Sequence, residues 1–201
     1  MSRPLKVMLV AAEASGDALG AGLARSLKAR LGKDVVFVGV GGPKMAAEGV
    51  ASPFDIAELS ILGWIEGLKA YGRVRKRVAE TAALAAAEKP DAVVLIDSWG
   101  FTIRVAQAIR AASPKTPLIK YVGPQVWASR PGRAKTLAGA VDHLLALYAL
   151  DAPWFEKVGL PFAPIRKPEE LYADEHLLAT GGLADITLPD GERAGQQADT
   201  V

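Results

Sequence analysis

The sequence predicts an α/β fold built on a doubly wound parallel sheet, and three observations lead there. Short runs rich in Val, Ile and Leu recur at residues 5–11, 35–40, 92–96, 118–122 and 143–147. They are mostly unalternated, which suits strands buried on both faces rather than on one. Longer stretches rich in Ala, Leu, Lys and Arg separate them, at residues 17–31, 64–88, 102–112 and 132–140, with a short one at 151–158. The breaks fall between the two kinds of run: Lys89-Pro90-Asp91 ends the longest helical stretch and opens a strand, and Pro114 and Pro117 bracket another such turn. Alternating strand and helix imply βαβ units around a parallel sheet.

At 201 residues, half of them hydrophobic, the chain is long enough for one well-packed domain and a tail. Its formal net charge of +2 is too small to point to nucleic acid. Without cysteine there is no disulfide framework and no thiolate metal site, and a cytoplasmic location is mildly favoured. The two histidines, His143 in a strand beside Asp142 and His176 near the end, have no partner at metal-ligand spacing, so no metal is expected. The opening apolar run is cut short by Glu13 and Asp17, too soon for a signal peptide or a membrane span. After Pro161 the composition changes: Pro164, Pro168, Pro189 and Gly181-Gly182 appear, and the end has no apolar period. The expected organisation is therefore a domain over residues 1–161 and a divergent tail over 162–201, partly disordered, with room for a helix at 169–180.

In an open parallel sheet ligands bind beyond the carboxyl ends of the strands, so the residues following each apolar run are the candidates. After the first run come Glu13, Ser15, Gly16 and Asp17, where a turn opens a helix whose free N–H groups suit an anion or a sugar hydroxyl. Equally, Ser15 caps that helix and Asp17 complements its dipole. After the second run, Gly39-Val40-Gly41-Gly42-Pro43, with Gly42 the candidate, either brings backbone close to the ligand side or does no more than turn the chain. This is neither a G-x-G-x-x-G nor a Walker sequence, so nicotinamide and ATP lose ground. Asp97 ends the third run; it either caps the following helix or acts as a shielded carboxylate that accepts a proton from an attacking hydroxyl. The loop over residues 121–133 gathers Pro124, Gln125, Trp127, Arg130 and Arg133; taken singly, Trp127 reads as a packed loop anchor and Arg133 as a solvated helix residue, but together they offer an indole for stacking and guanidinium groups for phosphate.

One further stretch mixes apolar and basic residues. Ile61, Leu62, Trp64, Ile65, Leu68 and Tyr71 form an apolar set, and Arg73, Arg75, Lys76 and Arg77 follow. On composition an ordinary core-facing helix with a solvated basic end is preferred, and an interfacial helix on anionic lipid is the alternative.

Taken in order, these pieces resemble the lipid-A-disaccharide synthase family. The residues that carry the likeness are Ala12-Glu13-Ala14-Ser15-Gly16-Asp17; Phe37-Val38-Gly39-Val40-Gly41-Gly42-Pro43; Leu59-Ser60 with Gly63 and Glu66; Ile96-Asp97-Ser98; Tyr121-Val122-Gly123-Pro124-Gln125-Val126-Trp127-Ala128; Arg130-Pro131-Gly132-Arg133; and Val141-Asp142-His143. The resemblance covers residues 5–161 and implies a Rossmann-like, acceptor-side domain of a glycosyltransferase-B fold. It implies transfer of 2,3-diacylglucosamine from UDP-diacylglucosamine to diacylglucosamine 1-phosphate, with inversion and without a metal or other cofactor. Asp97 falls on the family's proposed general base, and Glu13, Ser15, Gln125, Trp127 and Arg130 would orient substrate. The family's attachment to the cytoplasmic face of the inner membrane turns the preference at 61–77 towards a peripheral membrane patch.

Two departures accompany the likeness. Asp97-Ser98-Trp99-Gly100-Phe101 stands where relatives carry Pro and a second acid, and Gln125 and Ser129 stand where Ser and Trp are common. Past Pro161 the match is expected to end, leaving a donor-binding domain missing and raising a non-catalytic acceptor-binding or membrane-docking module as the alternative. Another sugar-nucleotide enzyme of this architecture, such as an epimerase, is the third reading.

Overall fold

The computed structural model describes residues 3–59, 67–126, 128, 130–147, 151–164, 186–187 and 193–194. Strands β1 (Leu5–Val10), β2 (Val35–Val40), β3 (Ala92–Ile96), β4 (Leu118–Tyr121), β5 (His143–Ala146) and β6 (Phe162–Pro164) form one parallel sheet in the order β2-β1-β3-β4-β5-β6. Helices α1 (Ala14–Leu31), α2 (Pro43–Ala47), α3 (Gly67–Glu88), α4 (Trp99–Ala112), α5 (Gly132–Ala138) and α6 (Ala152–Glu156) complete the alternation. From β1 the chain goes to β2 on one side, then returns to place β3 on the other, so the topological switch point lies between β1 and β3.

The unalternated apolar runs have a direct structural cause. Met8, Val10, Val93 and Leu95 join Phe101, Val105 and Ile109 of α4, Leu137 of α5 and Phe155 of α6 in one core cluster. Their neighbours Val7, Leu9, Val94 and Ile96 join Ala21 and Ala24 of α1 and Met45 of α2 in the other. Each central strand thus serves two dry faces, and a polar residue at either parity would be buried without solvent.

Where the structure departs from the sequence reading, the differences are shifted helix starts and short elements that were not expected. The sheet continues past the expected boundary at residue 161: β6 pairs with β5, Leu144 facing Phe162 in register, because β5 would otherwise leave an unpaired edge. Helix α1 starts at Ala14 and α4 at Trp99, each earlier than the periodicity indicates, and the short helix α2 was not expected. Within the expected tail, Ile186–Thr187 pairs antiparallel with Arg193–Ala194. The expected helix over 169–180 and the disorder expected of the tail lie outside the described residues.

At the amino-terminal end of the sheet one device is used twice. Asp91, just ahead of β3, accepts the Lys6 backbone N–H at 2.8 Å and pairs with the Arg3 guanidinium. Asp142, just ahead of β5, accepts the Leu118 N–H at 2.8 Å and the Arg110 guanidinium at 2.7 Å. A carboxylate before one strand thereby pins the start of its neighbour. Arg3 and the Lys6 N–H hold the Asp91 carboxyl down to about 2.

Candidate active site

The carboxyl ends of β1 and β3 bring together residues that are far apart in sequence. Glu13, the exposed N-cap residue of α1, makes no capping bond with its side chain. Ser15, expected as a cap, instead sits in the first turn and donates from Oγ to Asp97 Oδ2 at 3.4 Å. Asp97 itself does not cap α4; that position falls to Ser98. The Asp97 backbone continues the sheet, its N–H donating to the Tyr121 carbonyl at 2.9 Å.

The chain then bends by a route that side chains resist. Asp97 has φ 48° and Ser98 φ 35°, and Val122 at the end of β4 has φ 68°. Left-handed conformations outside glycine cost on the order of 1–3 kcal/mol each and persist where surrounding structure over-determines them. A β-branched residue such as Val122 is the least suited of the three. Four of the five such non-glycine residues found among the described residues, Asp97, Ser98, Val122 and Arg130, lie at or beside this end of the sheet.

Two cavities open here, with Trp99 in the wall of both. The larger, about 700 Å³, is lined by Glu13, Ser15, Ser98, Phe101 and Arg104, with Leu59 and, from α3, Val74. The smaller, about 350 Å³, holds Asp97, Lys120, Pro124, Gln125 and Arg133. The Arg133 guanidinium lies 5.2 Å from the Trp99 ring centroid, a cation–π contact that steadies the partition. The walls combine an aromatic ring, guanidinium groups, a carboxylate and helix N-termini, a mixture that suits a polar ligand with an anionic group and an apolar part.

The remaining sequence candidates divide. Asp17 is buried and spends its carboxylate on the backbone N–H groups of Gly42, Lys44 and Met45, at 2.8, 3.0 and 2.9 Å. It caps the turn into α2 rather than facing a ligand. Gly42 is required by the same contact, since a Cβ there would meet Asp17 Oδ2 at 2.7 Å. Gly16 is buried too, its missing Cβ lying 3.3 Å from Ala11 Cβ and 3.6 Å from the Ile96 carbonyl oxygen, so it lets α1 settle on the sheet. Pro124 and Gln125 line the smaller cavity; Arg130 is exposed and lines neither. Trp127 lies outside the described residues, as do Ile61, Leu62, Trp64 and Ile65, and the side chain of Leu68 is not described either.

The basic end of α3 is less uniform than it reads. Tyr71 is 54% exposed, and Arg73, Arg75 and Lys76 are exposed as well. Arg77 instead bridges Glu58 and Glu80, each at 2.5 Å, and its guanidinium lies 4.6 Å from the Phe54 ring centroid. It ties α3 to the segment preceding it and is not available to a headgroup.

Sequence reasoning did not single out Lys120, Trp99 or Arg104. Lys120 lies on β4, only 2% exposed, with its ammonium on the Asp97 carbonyl and on Thr102 Oγ1 at 2.9 Å. Burial pulls it down to about 7, the Asp97 charge opposing. A lysine inside an apolar run was the available signal, since the strand is otherwise dry. Among the described residues there is no cluster of His, Cys, Asp and Glu able to hold a metal ion.

Comparison with known proteins bears on the family and the architecture. The sequence profile of the family described as Lipid-A-disaccharide synthetase matches residues 7–165. A lipid-A-disaccharide synthase of Bradyrhizobium diazoefficiens is 46% identical over 156 residues, 78% of this chain and 40% of that one. The synthase of Ruegeria pomeroyi is 41% identical over 203 residues, 96% of this chain and 50% of its own length, so that alignment runs beyond Pro161. The chain thus spans between two fifths and one half of the length of these curated relatives. Among solved structures, an S. aureus MnaA–UDP co-structure superposes with TM-score 0.57 at 14% identity, over 80% of this chain and 43% of that one. A UDP-N-acetylglucosamine 2-epimerase gives 0.55 at 17% identity, over 77% and 45%. At such identities the structural likeness establishes the shared α/β architecture alone. The sequence matches go further, and by them the chain belongs to the Lipid-A-disaccharide synthetase family.

Proposed function

We propose that this chain forms the acceptor-side half of a lipid-A-disaccharide synthase, an inverting glycosyltransferase that moves 2,3-diacylglucosamine from UDP-diacylglucosamine to diacylglucosamine 1-phosphate. The observation that carries this reading is the Asp97 carboxylate at the β1/β3 switch point, beside Ser15 and at the wall between two cavities. Asp97 takes the proton of the acceptor 6-hydroxyl as that oxygen attacks the anomeric carbon. The bond to UDP breaks on the opposite face, and UDP carries away the electron pair, which inverts the centre. Glu13 and Ser15 orient the acceptor, Gln125, Trp127 and Arg130 contribute on the loop after β4, and a further domain supplies the contacts to UDP.

Acylated substrates favour work at a membrane surface, because each buried methylene is worth about 0.8 kcal/mol and full extraction into water would be prohibitive. The exposed Tyr71, Arg73, Arg75 and Lys76 support docking at the cytoplasmic face of the inner membrane through this part of α3 and the residues ahead of it. Among the described residues no helix is long and apolar enough to cross a membrane. Sedimentation with anionic vesicles tests the docking: charge reversal of Arg73, Arg75 and Lys76 should abolish it, and unchanged binding would remove the patch.

Because the chain spans only part of its relatives, a non-catalytic acceptor-binding module is the second reading. Disaccharide formation is to be measured from both acylated substrates, with this chain alone and with the carboxyl-terminal half of a relative added. Product in the supplemented mixture, lost in Asp97→Asn, supports the enzyme. No product in either mixture favours the binding module, and product that survives Asp97→Asn removes Asp97 as base.

A further inference from the structure

A lysine buried in the core needs a reason. The Lys120 side chain leaves β4 on the same face as Leu118, into the cluster packed by α4, and it is 2% exposed. Its ammonium meets no carboxylate oxygen at hydrogen-bond distance among the described residues. The acceptors are the Asp97 carbonyl and Thr102 Oγ1, both neutral. Placing an ammonium ion there disfavours folding, since desolvation of the charge is only partly offset by neutral acceptors. A methionine of similar length would fill the same space without that penalty.

What the ammonium touches explains its presence. The Asp97 carbonyl belongs to the peptide between two consecutive non-glycine residues in the left-handed region, Asp97 at φ 48° and Ser98 at φ 35°. That peptide is held from every side. The Asp97 N–H donates to the Tyr121 carbonyl at 2.9 Å, and the Ser98 carbonyl accepts the Phe101 and Thr102 N–H groups at 3.2 and 3.1 Å. Thr102 Oγ1 lies 2.8 Å from the Asp97 carbonyl and 2.9 Å from that of Ser98, with one proton to give. Lys120 is the cation in this clamp, and it lines the same cavity as Asp97. The other charged groups nearby are Arg133 of α5 in that cavity, and Glu13 ahead of α1 and Arg104 of α4 in the adjoining one.

We propose that Lys120 is the positioning residue for Asp97: its ammonium fixes the left-handed Asp97–Ser98 turn that presents the carboxylate in the crevice. The proposal rests on the reading of Asp97 as the general base. Burial brings the lysine down to about 7, the Asp97 charge opposing.

The test follows the Asp97 13Cγ and Lys120 13Cε signals of the full chain across the carboxylate and lysine ranges. In the unaltered protein the Asp97 curve should show a second inflection where Lys120 titrates. Lys120→Met should erase it. Thr102→Val, which keeps the lysine, should retain the second inflection. In the enzyme completed with its second half, Lys120→Met should lower kcat about tenfold while KM stays within about twofold, the mark of a group acting in the transition state. A folded Lys120→Met chain with the original Asp97 curve overturns the proposal. So does a single inflection in the unaltered chain, which decides the matter if the variant fails to fold. Coupled titration in a chain that makes no disaccharide even when completed would sink the glycosyltransferase reading but leave the Lys120–Asp97 pairing standing; active enzyme with uncoupled curves would do the reverse.

Discussion

The two ends of the sheet are built on opposite principles. At the amino-terminal end Asp91 and Asp142 each accept an N–H near the start of a neighbouring strand and an arginine, so their charges are matched. At the carboxyl end Asp97, Ser98 and Val122 occupy left-handed backbone, and Lys120 is buried against neutral acceptors. One end holds the strands in register; the other trades stability for the placement of a carboxylate. Such a division is expected where chemistry is carried on a rigid scaffold.

The largest effect that would sharpen this contrast comes from Asp97→Asn. Asparagine accepts the left-handed region, so the turn should survive, while disaccharide synthesis by the completed enzyme should fall about 100- to 10,000-fold. A melting temperature moved as far as the activity would break the contrast. Asp17→Ala comes next, and it is the carboxyl end's exception: a carboxylate used purely for structure. Leaving the Gly42, Lys44 and Met45 N–H groups without their acceptor should cost roughly 3 kcal/mol, read from urea denaturation. Asp142→Ala should cost about 1 kcal/mol, because the Leu118 N–H it releases is only part-buried, and activity should not change.

The last comparison is pH dependence, where the two ends should respond in separate windows. The Asp91 carboxyl lies at about 2 in the folded chain against an ordinary 3.8, so the unfolded chain binds more protons as pH falls through that interval. Its contribution, complete above the ordinary value, is lost on the way down to about 2, and Asp91→Asn should flatten that limb of a stability profile. Lys120 lies at about 7 against 10.5, so here too the unfolded chain holds more protons between those values. Stability should therefore rise with pH across that window, and Lys120→Met should flatten the rise. Melting temperatures over both ranges provide the check.

How much of this was legible in sequence follows from the range of the interactions involved. Val93-Val94-Leu95-Ile96 reads as a doubly buried strand because its neighbours alternate between two apolar cores, a local pattern with a local signature. Asp97 stands out because a carboxylate ends that run. Asp17, by contrast, looks like a complement to its own helix dipole, and its actual partners, Gly42, Lys44 and Met45, come from the turn after β2. Arg77 looks like one of four solvated cations, and only the return of Glu58 and Phe54 shows it to be a bridge. In Leu118-Ile119-Lys120-Tyr121 the lysine is out of place in an apolar run, but its burial depends on α4 starting at Trp99 and covering it. Trp99 becomes a partition only once β3 and β4 lie side by side.

The three bonds from Asp17 also bear on the order in which a ribosome delivers this site. They connect α1 to the turn after β2, and β1 pairs with β2 along its whole length, so one wall of the crevice can close on itself while the rest is still being translated. Asp97 emerges only after the 22 residues of α3 and must find a finished edge of β1 to dock on. The nascent chain therefore completes the wall that Asp17 ties together before it acquires the strand that ends in Asp97.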